Sequence, residues 1–185
     1  MAKFKFFSFA KSFREDTRGT VAVEAVIMIP MLFWAFLAMS VFFDMYRAKS
    51  TTEKAAFTIS DILSRETNAI DMTYLDSVQD LYTEISTLQN EGELRVSVIG
   101  YNPDTSKYFL DWSNMTGTVD DSLVDSDLID LADRLPVLVA GERLILVETF
   151  GSYTAPVNVG IGTVSMNTFV FTRPRFGPQL AWENT

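Results

Sequence analysis

The chain contains no cysteine and no histidine. Without cysteine there is no disulfide, so an exported domain must be held by a packed apolar core. Without histidine the commonest general base, the usual transition-metal ligand and every histidine-containing triad are excluded. Ser–Lys dyads and carboxylate pairs need no histidine, but no motif for either is present. Glycine and proline are sparse, nine and six in 185 residues, and neither occurs between Met31 and Glu91. Nothing in that stretch interrupts a helix. Internal repeats and low-complexity linkers are missing too. Basic residues are the minority, 15 against 24 acidic, for a formal net charge of −9. Nucleic acid is therefore not an expected partner, since phosphate backbones require a basic surface.

Apolar and charged residues are unevenly spread. Ala25 to Phe43 is a run of 19 residues without a formal charge. As a helix it spans about 28 Å, close to the hydrocarbon core of a bilayer. It is apolar all round, which a helix of a small soluble domain is not. It also exceeds the 7–15 residues of a secretory signal core, which argues against ordinary signal-peptidase cleavage near Ala38-Met39-Ser40. The leader, residues 1–19, carries Lys3, Lys5, Lys11, Arg14 and Arg18 against Glu15 and Asp16, a net of +3; with −9 for the whole chain, residues 20–185 carry −12. Positive flanks stay cytoplasmic. The leader is therefore expected in the cytosol and the remainder beyond the membrane. The phenylalanines Phe4, Phe6, Phe7, Phe9 and Phe13 fit either a membrane-surface segment or a mobile cytosolic tail.

The junction Arg18-Gly19-Thr20-Val21-Ala22-Val23-Glu24 joins leader and run. A carboxylate within a membrane helix costs about 2.5–3.5 kcal/mol at the helix centre and less near an end, so such a residue is rarely idle. Gly19 has no Cβ to obstruct a protease approaching the backbone. Cleavage after it leaves a new amine on Thr20. Glu24, one helical turn further on, is placed to neutralise an amine, its own or that of a neighbouring subunit. Pro30 removes one backbone hydrogen bond and favours a kink, which membrane helices tolerate.

The organisation read from the chain is a basic leader (1–19), a membrane helix (20–43), a continuation of that helix (44–66), an α+β domain (67–178) and a flexible tail (179–185). Ala55, Ile59, Ile62 and Leu63 recur at helical spacing, so the first helix is expected to run from Thr20 to about Glu66, about 70 Å; the alternative is a break near Ser50-Thr51-Thr52. Leu75, Val78, Leu81, Tyr82, Ile85 and Leu88 mark a second helix, capped by Asp71 or Thr73. The period then changes to that of strands: Leu94–Tyr101, a turn at Asn102-Pro103-Asp104, Lys107–Trp112, Leu144–Tyr153 and Thr163–Thr172. A short helix is expected over Asp127–Leu135, stopping before Pro136. Trp112, Phe150 and Phe169 are expected in the core of the sheet. The fold class is therefore α+β, helices packed on a mostly antiparallel sheet. Asp120, Asp121, Asp125, Asp127 and Asp130 form an acidic cluster, but the spacing fits no EF-hand, and a solvated loop and helix start is the reading, with no metal site and no cofactor. Arg173 and Arg175 are candidates for contact with a partner subunit or with acidic residues of the domain.

Residues 18–34, RGTVAVEAVIMIPMLFW, resemble the start of TadE-like proteins, the minor pseudopilins of the tight-adherence (Flp-type) pilus system. The resemblance lies in the leader ending Arg18-Gly19, the pair Val23-Glu24 and the early Pro30. A second stretch, Glu142–Pro156 and Thr172-Arg173-Pro174-Arg175, resembles the family's late strand and ending. The family often has an aromatic after the glutamate, where this chain has Ala25. The resemblance implies a pilin-like fold and a non-enzymatic, structural role. It also implies cutting between Gly19 and Thr20 by a prepilin peptidase. The location implied is a single pass of the bacterial inner membrane with a periplasmic domain, or an extracellular pilus. The partners implied are other pilin or pseudopilin subunits and a pilus assembly platform. The rival expectation is a signal-anchored membrane protein whose periplasmic domain binds a ligand or is an enzyme; a simple tether needs no cut at Gly19.

Overall fold

The computed structural model describes residues 18–86, 88, 92–117 and 121–183. The leader expectation for residues 1–17, Asp120 of the acidic cluster and the last two residues of the tail lie outside them. The chain divides into two units, Met1–Phe43 and Asp44–Thr185.

Helix α1, Arg18–Arg65, has no break at Ser50-Thr51-Thr52 and runs through Pro30. Thr51 and Thr52 satisfy their hydroxyls on the carbonyls of Arg47 and Ala48, one turn back, and so do not interrupt it. Within the first unit most of the helix surface is exposed: Val21, Ile27, Leu32, Phe33, Trp34 and Phe43 are each more than half accessible, while Val41 is buried. This helix is long and apolar enough to cross a membrane.

In the second unit the same helix behaves differently. Thr52, Ala55, Ala56, Ile59, Ser60, Leu63 and Ser64 are buried and recur at i, i+3, i+4 and i+7, a one-sided stripe. Ala55, Ile59 and Leu63 enter a core with Leu75, Val78 and Tyr82 of helix α2, Met72–Ser86. Asp71 caps α2, its Oδ1 accepting from the Tyr74 amide at 2.8 Å. Leu81, expected on the buried face, is 39% exposed, because the face that meets the sheet is narrower than the apolar pattern.

Four antiparallel strands form the main sheet, in the order β2-β1-β3-β6. They are β1 Glu93–Asn102, β2 Lys107–Met115, β3 Arg143–Phe150 and β6 Thr168–Thr172. Leu94, Val96, Val98, Ile145 and Val147 face the helices. Ile99, Leu144 and Leu146 point the other way and meet Leu123, Leu128, Leu135 and Leu138. Both faces are therefore covered, and β1 and β3 read as near-continuous apolar runs for that reason. The β1–β2 turn closes with the Asp104 amide donating to Asn102 Oδ1 at 3.0 Å. Between Val98 and Ile99 the register slips, leaving Asp111 as an extra residue on β2. The short helix expected over Asp127–Leu135 is one α-turn, Leu128–Leu131 (α3), tightening into a 3₁₀ turn, Ala132–Arg134.

The two long strands expected at Leu144–Tyr153 and Thr163–Thr172 are each cut in two. Gly151 separates β3 from β4, Ser152–Tyr153, and Met166-Asn167 separate β5, Val164–Ser165, from β6. β4 pairs only with β5, in a second small sheet. The Met166 amide donates to the Gly151 carbonyl at 2.8 Å, so one hairpin turns a corner at both strands together. A Cβ on Gly151 would sit 2.6 Å from Leu88 Cδ1, so a side chain at this corner requires the end of the Leu88 side chain to shift.

The expectation of a flexible tail over 179–185 is corrected for residues 179–183. Leu180 is buried, and Trp112 Nε1 donates to its carbonyl at 2.9 Å. Ile70 exchanges backbone hydrogen bonds with Ala181 and Glu183, at 3.0 and 2.9 Å. The Trp182 ring lies 5.1 Å from that of Trp112. A leucine and a tryptophan on a short terminus are enough to dock it. Of the three aromatics expected in the core, Trp112 and Phe169 are half-buried at its edges and Phe150 is half-buried under the guanidinium of Arg95, 5.0 Å from its ring.

Candidate functional site

Gly19 and Thr20 lie in the first turn of α1, both exposed, and a Cβ on Gly19 would meet nothing within 4 Å. The amides of a first turn have no intrahelical partner, so drawing this segment into an extended shape breaks few hydrogen bonds. Glu24 follows one turn later, exposed and with no ion-pair partner among the described residues. Val21, Val23, Val26 and Ile27 around it are all exposed and apolar. A lone carboxylate on that surface is placed for an interaction from outside its own helix.

Beyond Phe43 the helix becomes charged. Asp44, the first charge after the apolar run, accepts a hydrogen bond from the Tyr153 hydroxyl at 2.8 Å. Burial, that hydrogen bond and the Asp44 charge together push the Tyr153 phenol up to about 12. Next to this contact the helix and the segment after β5 enclose a groove of about 230 Å³, whose lining includes Tyr46, Lys49, Glu53, Asn167 and Thr168. A second groove, of about 680 Å³, lies between the β1–β2 turn and α3, with Asn102, Lys107, Tyr108, Asp125 and Ile129 in its wall.

Arg173 and Arg175 bind acidic residues of their own domain. Arg173 reaches Glu142 at 3.4 Å and Arg175 reaches Asp61 at 3.0 Å, where Asp61 also holds Arg65 at 2.9 Å. All of these pairs are substantially exposed and contribute little to stability. The Arg175 amide additionally donates to the Ser64 carbonyl at 2.8 Å, which fixes the segment after β6 to the end of α1.

The acidic cluster does not converge. Asp121 pairs with Arg95 at 3.3 Å, Asp125 accepts from the Leu110 amide at 2.8 Å, and Asp127 accepts from the Val124 amide at 2.9 Å. Among the described residues no group of three potential metal ligands comes together.

Two arrangements were not anticipated from sequence. Arg95 and Glu148 stand opposite each other in the β1–β3 register and pair at 2.8 Å, each side chain only about 10% exposed. The signal was a charge at an inward position of LRVSV and of LVETF. The Asp44–Tyr153 contact joins residues 109 apart and had no local signal. No protein-family model, curated protein or solved structure matches this chain.

Proposed function

We propose that this chain is a TadE-like minor pseudopilin, cut between Gly19 and Thr20 by a prepilin peptidase, that acts in assembly or initiation of a tight-adherence (Flp-type) pilus for surface adhesion. The observation that carries the reading is the Gly19–Glu24 junction at the start of one uninterrupted helix, Arg18–Arg65. Its first turns are exposed and apolar, and its last turns pack on an antiparallel sheet. A long helix leading into a sheet supports a pilin-like fold. In this reading the role is structural, not enzymatic. The helix packs beside helices of other pilin or pseudopilin subunits, supplied by the assembly platform in the inner membrane, and the periplasmic domain travels with it.

Glu24 sets the register of that packing. A carboxylate in hydrocarbon is most favourable when a positive group meets it, and the amine freed on a neighbouring subunit's Thr20 is such a group. Subunits that place amine and carboxylate together are thereby selected over other alignments.

A membrane-tethered periplasmic binding domain is the second reading, favoured by the groove of about 680 Å³. Mass spectrometry of the N-terminus of the membrane-extracted protein, from cells with and without the host's prepilin peptidase, separates the two. A peptidase-dependent start at Thr20 supports the pseudopilin. A retained Met1 leader in both strains eliminates prepilin processing and favours the tether.

A further inference from the structure

The edge of a sheet presents unpaired N–H and C=O groups that can recruit another strand, and folds blunt such edges with charge, proline, a bulge or a covering segment. The two edges of the main sheet, β2 and β6, differ in this respect. β2 carries Lys107 and Asp111, bulges at Asp111 and is covered by the segment that leads into α3. Its Leu110 amide donates to Asp125 Oδ1 at 2.8 Å, and Ser113 Oγ accepts from the Leu123 amide at 3.0 Å. β6, Thr168–Thr172, has none of these devices. It holds no charge and no proline, and its register with β3 is unbroken. Among the described residues, only β3 forms hydrogen bonds with its backbone. Phe171 stands on this open edge strand, 44% exposed.

β6 also reads the same in both directions: Thr168-Phe169-Val170-Phe171-Thr172. Two such strands laid antiparallel, with Val170 opposite Val170, set threonine opposite threonine and phenylalanine opposite phenylalanine. A two-fold contact has this form, since residue i meets j wherever j meets i. Aromatic pairs and Thr–Thr pairs are among the cross-strand pairs that stabilise a sheet. Phe169 packs on the cluster of Ile99, Leu144 and Leu146, and Phe171, two residues on, shares its face of the strand. Each exposed Phe171 would thus gain a phenylalanine neighbour from the other copy, while Val170 stays in its own core. A slip of one residue would set threonine against phenylalanine and turn the side chains to the wrong face. No like charges meet: Arg173 falls opposite Asn167 and is held by Glu142 of its own chain. The corner at Met166-Asn167 and the proline at 174 limit the pairing to five residues.

We infer that two copies of this chain pair through β6, antiparallel about a two-fold axis at Val170, so that their four-stranded sheets become one continuous sheet. The pairing satisfies the open backbone groups of both edges and takes Phe171 out of water. An isologous edge closes on itself, so the product is a dimer and not a fibre. The inference concerns the second unit alone and holds whether or not the chain is cut after Gly19.

The chain has no cysteine, so introduced thiols report without background. Full-length Thr168→Cys and Thr172→Cys chains are produced singly and together in the same cells, extracted in mild detergent and exposed to a mild oxidant. Disulfide-linked dimers are then read on non-reducing gels. In the inferred register, position 168 of one copy lies opposite position 172 of the other, with Cα atoms about 4.5–5.5 Å apart, within disulfide range. Two copies of position 168 are four residues out of register, about 13 Å apart, and cannot be bridged. The expected result is a linked dimer when the two variants are produced together, and at least about tenfold less from either alone. Phe171→Lys, added to both chains, breaks both phenylalanine pairs and places on the edge the charge that natural edges use; it should lower the linked fraction roughly tenfold. No linked dimer from the pair overturns the inference. So does linkage of the single variants as readily as the pair, which would mark chance collision or another register, and so does linkage indifferent to Phe171→Lys. Native mass spectrometry of the unaltered chain reads the same question without substitution: a dimer is expected, and a chain that is monomeric throughout overturns the inference.

Discussion

Tyr153 donates its hydroxyl to Asp44 at 2.8 Å, tying the second sheet to the turn of α1 where charge reappears after the apolar run. The Tyr153 side chain is buried, and its acceptor is a carboxylate, so this is a charge-assisted bond. The phenol titrates at about 12, above its ordinary 10, first through burial and then through Asp44. A group whose pKa is raised on folding stabilises the fold fully below its unfolded pKa and loses that contribution as pH rises through the folded one. The contact is therefore intact at neutral pH and fails between about pH 10 and pH 12. Tyr153→Phe is expected to cost about 1.5–3 kcal/mol, the scale of a hydrogen bond to a charged group, in chemical denaturation of the detergent-solubilised chain. Tyrosinate absorbance gives an independent check. Asp44→Asn removes the charge that opposes ionisation, and the highest-titrating tyrosine should move back toward 10. An unchanged titration in Asp44→Asn would show that burial alone sets the shift.

Tyr82 presents the opposite case. Its hydroxyl is fully buried in the α2–sheet core and, like Thr149 Oγ1, meets hydrogen-bond geometry with no group among the described residues, although Thr149 lies close enough to act on its ionisation. Burial pushes the Tyr82 phenol up, and Thr149 is the polar group that opposes the shift. A buried hydroxyl without a partner carries its desolvation cost, about 1–3 kcal/mol, with no return. Tyr82→Phe and Thr149→Val each keep shape and remove that cost. Both are expected to be neutral or stabilising by up to about 1 kcal/mol, in contrast to Tyr153→Phe. A denaturation midpoint lowered in either variant would mean that the two hydroxyls bond to each other.

The Arg95–Glu148 pair sits in the centre of the sheet, with Arg95 held further by the Asp121 carbonyl at 2.6 Å. Removing one member of a buried pair strands the other and costs about 3–5 kcal/mol, whereas replacing both with apolar residues of similar volume is often neutral. Glu148→Leu alone should therefore destabilise more than Arg95→Met with Glu148→Leu. Denaturation of the two singles and the double gives the coupling directly. A double variant less stable than both singles would show that Arg95 works mainly through Asp121 and the Phe150 ring.

These pairs also explain what was legible in the sequence. The helices were readable because their signals are local. No glycine or proline falls between Met31 and Glu91, and the apolar period carries α1 through Ser50-Thr51-Thr52. The strands were readable from their run of apolar and β-branched residues, but their ends were not. Leu144–Tyr153 looks like one strand, and only the approach of Leu88 to Gly151 reveals a corner there. The tail looked loose because Leu180 and Trp182 have no periodic context; their partners, Ile70 and Trp112, are distant in sequence. The junction residues Gly19, Thr20, Glu24 and Pro30 are read from a short linear pattern, and their role is a proposal that rests on that pattern. Arg173 and Arg175 were recognisable as charges, but their partners Glu142 and Asp61 are chosen by the fold.

Under the proposed pseudopilin reading, Glu24 allows membrane insertion and subunit packing to be pulled apart. Its carboxylate opposes insertion by up to about 2.5–3.5 kcal/mol, less because it lies near the helix end. Glu24→Ala removes that penalty, so the variant should resist alkaline extraction from membranes at least as well as the parent chain. Under the same reading, cutting between Gly19 and Thr20 should also continue, because Gly19 and the first turn are untouched. If the carboxylate aligns neighbouring subunits by meeting the amine of Thr20, assembly should nonetheless fall steeply. Glu24→Gln should behave like Glu24→Ala, since an amide keeps shape and polarity but not charge. Glu24→Asp keeps the charge one methylene shorter and should retain part of the function. Surface pili counted by microscopy across the three variants, with membrane extraction and N-terminal mass spectrometry on the same cells, separate the steps. Normal pilus numbers in Glu24→Ala would remove the charge from the mechanism of assembly and leave it only as a cost of insertion.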